Sequence, residues 1–170
     1  ITNRLVGSEM CIRDRRKGMK MISDELKKIK KKKIVIIIST VLPGTIRKKI
    51  LPVTNKYTQI GYNPFFIAMG TTIDDFLYPE IILFGSENKF VSQKAQSFYR
   101  TLTNSPFFET TIENAELIKV VYNTFISTKI AYINSIAEMC HRLPNTSIDE
   151  VSRALSVSYT HLRAHETVGN

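Results

Sequence analysis

The stretch Lys33-Ile34-Val35-Ile36-Ile37-Ile38-Ser39-Thr40-Val41 decides the fold. An unbroken run of β-branched residues closed by a polar Ser-Thr pair reads as a strand buried on both faces, the pattern of a parallel sheet covered by helices. Its apolar part, 34–38, is far shorter than the ~20 residues a membrane helix needs, so no membrane association is expected. Leu42-Pro43-Gly44-Thr45 then turns the chain, and Ile46, Ile50 and Val53 resume helical spacing, with Pro52 marking a kink or an early end. Upstream, Ile22, Leu26 and Ile29 fall at helical spacing over 19–32, with Ser23, Asp24 and Glu25 in the opening turn and a lysine-rich close.

Downstream, 59–62 reads as a short strand leading into Asn63-Pro64, and 81–84 as a buried strand closed by Gly85. The segment 90–102 is amphipathic, with Phe90, Ala95, Phe98 and Leu102 expected inward, and 107–110 is expected to be a last edge strand. Strands alternating with helices at this spacing indicate an α/β fold with a mainly parallel sheet. After Thr111 the texture changes, for 112–141 contains neither Pro nor Gly. Ile118, Val121, Phe125, Ile130, Ile133, Ile136 and Ala137 trace one apolar face along it. At ~1.5 Å per residue this helix approaches ~45 Å, the length of an element that bridges domains or packs against a partner subunit. Pro144 ends it, and 148–155 begins another helix with Ser147 as its cap.

The 170 residues bound the chain to one domain or two small ones, and 43% hydrophobic with 23% charged residues is an ordinary globular balance. Two cysteines, Cys11 and Cys140, do not make a disulfide framework, so a reduced, cytoplasmic setting is expected. The net charge of +9 includes the run Lys30 to Lys33. That run lacks interleaved aromatics, so a solvated helix end is preferred over a nucleic-acid site and no nucleic-acid partner is expected.

Both ends look foreign. The segments 1–16 and 156–170 resemble peptides translated from sequencing-adapter DNA, and are set aside as artefact. Cys11, His161 and His165 thereby drop out as candidate ligands, no metal is expected, and the remainder is expected to be an internal piece of a longer protein. A sheet stripped of its first strands should expose an unpaired edge and be poorly soluble.

Three constellations can carry chemistry. In the first, ligands of open α/β sheets sit beyond the carboxyl ends of strands, which places Ser39, Thr40, Val41 and Thr45 at a binding crevice. Thr45 either offers its hydroxyl to a ligand or caps its own helix. The second is Asn63-Pro64-Phe65-Phe66-Ile67-Ala68-Met69-Gly70 with Asp74-Asp75-Phe76-Leu77-Tyr78-Pro79, a loop able to line a pocket. Asp74 and Asp75 are neighbours and diverge by ~100° on a helix, so they form no paired-carboxylate site. The third is Lys119-x-x-x-Asn123, whose spacing puts both side chains on one helical face. There a partly desolvated cation can stabilise an oxyanion and an amide can orient a hydroxyl or water; an ordinary surface pair is the alternative.

In this order the pieces resemble the UDP-glucose/GDP-mannose dehydrogenase family. Ser39 to Thr45 is similar to its S-T-V-x-P-G-T element, and Tyr62 to Gly70 with Asp74 to Pro79 to its Y-N-P-E-F-L-x-E-G…D-F-x-x-P element. Asn114-Ala115-Glu116-Leu117-Ile118-Lys119-Val120-Val121-Tyr122-Asn123 resembles the start of its dimerisation helix. The resemblance implies the C-terminal part of a Rossmann-like sheet over 17–111, then the start of an all-α dimerisation domain over 112–155. It implies NAD-dependent oxidation of the C6 alcohol of a nucleotide sugar to a carboxylate, and a homodimer through 112–141. Ser39, Thr40 and Val41 would then contact cofactor, with Lys119, Asn123 and Thr45 catalytic. The family's glycine-rich NAD turn and nucleophilic cysteine are absent here. Phe65 and Met69 stand where it carries glutamates, and neither takes a proton. A β-hydroxyacid-type dehydrogenase piece and a non-catalytic dimerisation or regulatory relative are the alternatives.

Overall fold

A computed structural model describes residues 2–68 and 70–158, with side chains over 13–68 and 70–156. Met69, His161, His165 and the side chain of Cys11 therefore lie outside the described residues. The chain divides into two compact units, Ile1–Val120 and Val121–Asn170, each considered by itself.

The first unit is built on a four-stranded sheet in the order β1 (Lys33–Ile37), β2 (Thr58–Tyr62), β3 (Ile82–Gly85), β4 (Phe107–Thr110). The pairs β1–β2 and β3–β4 are parallel, in registers running from Lys33 opposite Thr58 and from Ile82 opposite Phe107. Between them β2 meets β3 antiparallel at Tyr62 and Gly85, an inversion that the apolar runs do not encode. The expected edge position of 107–110 is met, and β1 forms the other edge among the described strands. As an edge, β1 is half-buried along Ile34 to Ile37, where a strand covered on both faces was expected.

Helix α1 runs Thr2–Lys28, well ahead of the start expected from apolar spacing. No proline interrupts that stretch, and the left-handed Lys30 (φ 52°) ends the helix. Met19 and Leu26 are buried, while Ile22 and Ile29 face solvent. Ser23, fully buried, meets the Thr58 hydroxyl at 2.9 Å and fastens α1 to β2. The segment after β1 forms one π-type turn, Ile46–Ile50, then a 3₁₀ turn, Leu51–Val53, that accommodates Pro52 at its start.

Short helix α2 spans Thr72–Leu77, and α3 spans Lys89–Tyr99 with Asn88 accepting from the Phe90 amide as cap. The inward face of α3 is Val91, Ser92, Ala95 and Tyr99, not the expected Phe90, Phe98 and Leu102; Phe98 is 56% exposed. Ala95 belongs to both patterns, so the two faces differ by a small rotation. What selects between them is the cluster of Phe84, Val91 and Ala95, with Phe107 packed against it. A second core joins Met19, Val41, Ile46, Ile50, Ile60, Tyr62, Leu83, Ile112 and Ala115. Burial of each large side chain there contributes roughly 1.5–3 kcal/mol.

Helix α4 spans Ile112–Arg142, as its freedom from Pro and Gly predicts. The Asn114 amide donates to Thr111 Oγ1 at its start, and Thr146 Oγ1 donates to the Cys140 and Leu143 carbonyls at its end. In the second unit Val121, Phe125, Tyr132 and Met139 are exposed, and α5 spans Ile148–Ser158. No helix among the described residues is long and apolar enough to cross a membrane.

Candidate active site

The site is assembled at the carboxyl ends of β1 and β2. Past β1, Ser39 and Thr40 are exposed and Val41 is buried. Arg15 on α1 donates to the Thr40 carbonyl at 3.0 Å. A cavity of about 280 Å³ opens between α1 and β1, lined by Arg15, Met19, Ile37, Ser39, Val41 and Thr45 among others. Its walls are largely aliphatic, with Arg15, Ser39 and Thr45 as the polar residues, a lining of the kind small-molecule sites have.

Thr45 is buried at the start of the π-type turn, yet its side chain caps nothing. Of the two readings of Thr45, the capping one is therefore not met. The turn before it needs a left-handed backbone, which Gly44 supplies at φ 81°. The Thr45 amide donates to Leu42 O at 3.0 Å. The two neighbouring amides are held by a residue that motif reading passed over. Glu116 on α4 accepts from Gly44 N at 2.5 Å and from Ile46 N at 2.8 Å. A lone glutamate in a helical repeat ordinarily reads as surface, and only the long-range fold reveals it to be buried.

One turn further along α4, Lys119 is 7% exposed. Its Nζ stands 4.7 Å from the centroid of the Phe66 ring, in the loop after β2. Burial holds the Lys119 ammonium below the usual lysine range. That loop is anchored at its root by Asn63, itself buried. Its amide nitrogen donates to Ile37 O at 2.8 Å, its Nδ2 donates to Leu83 O at 2.7 Å, and Tyr99 Oη donates to its Oδ1. Further along, Asp75 Oδ2 accepts from Ala68 N and Thr71 Oγ1, both at 2.8 Å, so Asp75 braces the loop. Phe65 meets Phe76 edge-on, with centroids 5.5 Å apart. Asn123 lies in the second unit, with its side chain exposed and its backbone carbonyl accepting from Ser127 Oγ at 3.0 Å.

Glu116 and Lys119, one turn apart on α4, thus reach two different places, the amides on either side of Thr45 and the ring of Phe66. Thr45 lines the α1–β1 cavity; Phe65 and Phe66 line a smaller pocket with Asn63, Phe76 and Tyr99. Cys140 is a half-buried free thiol on α4, and no cluster of metal-ligating side chains exists among the described residues.

Residues 13–103 match the NAD binding domain of the UDP-glucose/GDP-mannose dehydrogenase family, and residues 113–165 match that family's central domain. The UDP-glucose 6-dehydrogenase of Rickettsia conorii is 32% identical over 131 residues, 76% of this chain and 30% of that protein. The UDP-glucose dehydrogenase of the hyperthermophilic archaeon Pyrobaculum islandicum superposes with a TM-score of 0.76 at 20% identity, over 85% of this chain and 34% of its own. The GDP-mannose dehydrogenase of Pseudomonas aeruginosa, solved as a ternary complex, gives 0.66 at 20% identity, over 86% and 42%. The chain spans about 30% of the length of the curated relatives it matches. With two family domains matched in order and the same strand-and-helix frame around them, the chain belongs to the UDP-glucose/GDP-mannose dehydrogenase family.

Proposed function

We propose that this chain supplies part of the active site of an NAD-dependent nucleotide-sugar 6-dehydrogenase, which oxidises a sugar C6 alcohol to a carboxylate. The observation that carries the reading is the Lys119 ammonium, buried against Phe66 one turn from a carboxylate that grips both sides of Thr45. NAD, when bound, accepts the hydride. Ser39, Thr40 and Val41 would hold it, since they follow β1 in sequence and Ser39 and Val41 line the aliphatic cavity there. The Thr45 hydroxyl contacts cofactor or substrate. Lys119 stabilises negative charge developing on the sugar oxygen, and a cation kept out of water interacts more strongly than a solvated one. Asn123, assigned by its four-residue spacing from Lys119, orients the reacting hydroxyl or a water.

The nucleotide sugar is the substrate class, and a homodimer through 112–141 is the proposed assembly, supported by the exposed Val121, Phe125 and Tyr132. A cytoplasmic location fits the free thiol of Cys140. One observation favours a non-catalytic relative instead: Phe65 packs on Phe76 at a position where the family carries a glutamate. Titrating the chain with NAD and separately with UDP-glucose, while recording backbone and lysine side-chain spectra, tests the function. Saturable shifts at Thr40, Val41 and Thr45 with NAD, and at Lys119 with the sugar nucleotide, are expected. No shift at these positions with either ligand at millimolar concentration refutes the assignment; binding with no NADH formed in the longer enzyme selects the non-catalytic relative.

A further inference from the structure

Glu116 is 0% exposed, although it carries a carboxylate, and burying such a group is unfavourable unless its oxygens are occupied. Both are. The two amides it accepts from, Gly44 and Ile46, flank Thr45 at the amino-terminal end of a helical turn, where peptide N–H groups lack intrahelical acceptors and carry partial positive charge. Thr45 itself is tied back to Leu42 O, so all three successive amides of the turn are engaged. Tyr62, whose phenol feels the Glu116 charge, is also fully buried. Burial pushes its phenol up to about 12, with the Val41 backbone opposing and the Glu116 charge adding to the rise. The carboxylate therefore sits where water does not reach, and it belongs to the helix that carries Lys119.

We propose that Glu116 is a positioning residue: its carboxylate locks the 44–46 turn to α4, so that the Thr45 hydroxyl and the Lys119 ammonium hold a fixed relation while ligand binds. The proposal rests on the reading that Thr45 and Lys119 serve the nucleotide-sugar reaction. Because each oxygen takes a different amide, the role requires two acceptors on one group. That requirement separates positioning from mere space-filling. Glutamine matches glutamate in volume but turns an NH₂ toward one of the two donors, whereas aspartate keeps both acceptors at the expense of one methylene.

The test uses the whole chain as wild type, Glu116→Gln and Glu116→Asp, with amide hydrogen exchange and NAD titration read by NMR. In Glu116→Gln, exchange at Gly44 and Ile46 is expected to accelerate at least tenfold while Leu83 and Phe84 in β3 keep their protection. The apparent Kd for NAD is expected to rise at least tenfold. Glu116→Asp is expected to recover part of both effects. Unchanged exchange in Glu116→Gln, or a ranking with Gln above Asp, overturns the clamp. Equal loss of protection in β3 also overturns it, since the residue would then serve global stability alone. Accelerated exchange with unaltered NAD affinity overturns the positioning role. Should wild type keep the two protected amides yet bind neither NAD nor UDP-glucose, the reading of function fails and leaves Glu116 a structural clamp.

Discussion

Replacing Gly85 by alanine probes the joint on which the whole site hangs. A Cβ built there would lie 2.8 Å from Ala115 Cβ, 2.9 Å from Ile112 Cα and 3.0 Å from Thr111 O. Carbon–carbon contacts are optimal at about 3.5–4.0 Å, so the two carbon contacts are strongly compressed, and the approach to the Thr111 oxygen is tight as well. Two of the three atoms are backbone at the start of α4 and cannot rotate away. Overpacking of this kind costs about 1–3 kcal/mol. Gly→Ala also removes freedom from the unfolded chain, which returns about 0.4–1 kcal/mol. The net expectation is a loss of about 1–2 kcal/mol. With a urea dependence of about 1–3 kcal/mol per molar, the midpoint should fall by roughly 1 M. Pulse proteolysis in urea at submicromolar concentration measures this while keeping the exposed β1 edge from associating. A second variant, Gly85→Ala with Ala115→Gly, removes one of the three clashes and should recover less than half of the loss. A midpoint that is unchanged or raised refutes the close approach of β3 and α4, and full recovery in the double variant refutes the backbone as the obstacle.

Other consequences follow from the same geometry. Lys119 holds its proton less tightly in the folded state than its ordinary value of 10.5, so between the two values the unfolded chain binds more protons and stability rises with pH. Tyr62 and Tyr99 are shifted upward from 10, so above pH 10 the folded chain holds the extra proton and stability falls again. Lys119→Met should flatten the rising limb alone; urea midpoints measured at intervals from pH 7 to 11 would contradict this if both proteins rose in parallel. Tyr99→Phe removes the donor to buried Asn63 Oδ1 and should cost about 1–2 kcal/mol, and an unaltered denaturation midpoint would mean that the Asn63 root is held without it. Phe98→Ser, on the outward face of α3, should change stability by no more than about 0.5 kcal/mol. A loss of several times that would return Phe98 to the core.

Local pattern carried much of this architecture. The β-branched run before Ser39, the alternation of strands and helices, and the uninterrupted segment after Thr111 each have a short-range cause, and each became the element expected. The register of α3 did not follow, because Phe90 and Phe98 are as apolar as Val91 and Tyr99 and the choice lay with Phe84 and Phe107 across the sheet. The antiparallel meeting of β2 and β3 was likewise open, since an apolar run has no direction. At the site, the motif residues Thr45 and Lys119 announced themselves by context, whereas Glu116 did not.

The sequence by itself determined which segments are strands and helices, where the chain turns, and which side chains have the chemistry to bind or stabilise charge. These properties depend on neighbours a few residues apart. Only the tertiary structure decided that Glu116 is buried, that Gly85 must lack a Cβ, and that Lys119 rests on Phe66. Each depends on atoms brought together across dozens of residues, and burial and close approach exist only once the sheet and α4 have packed.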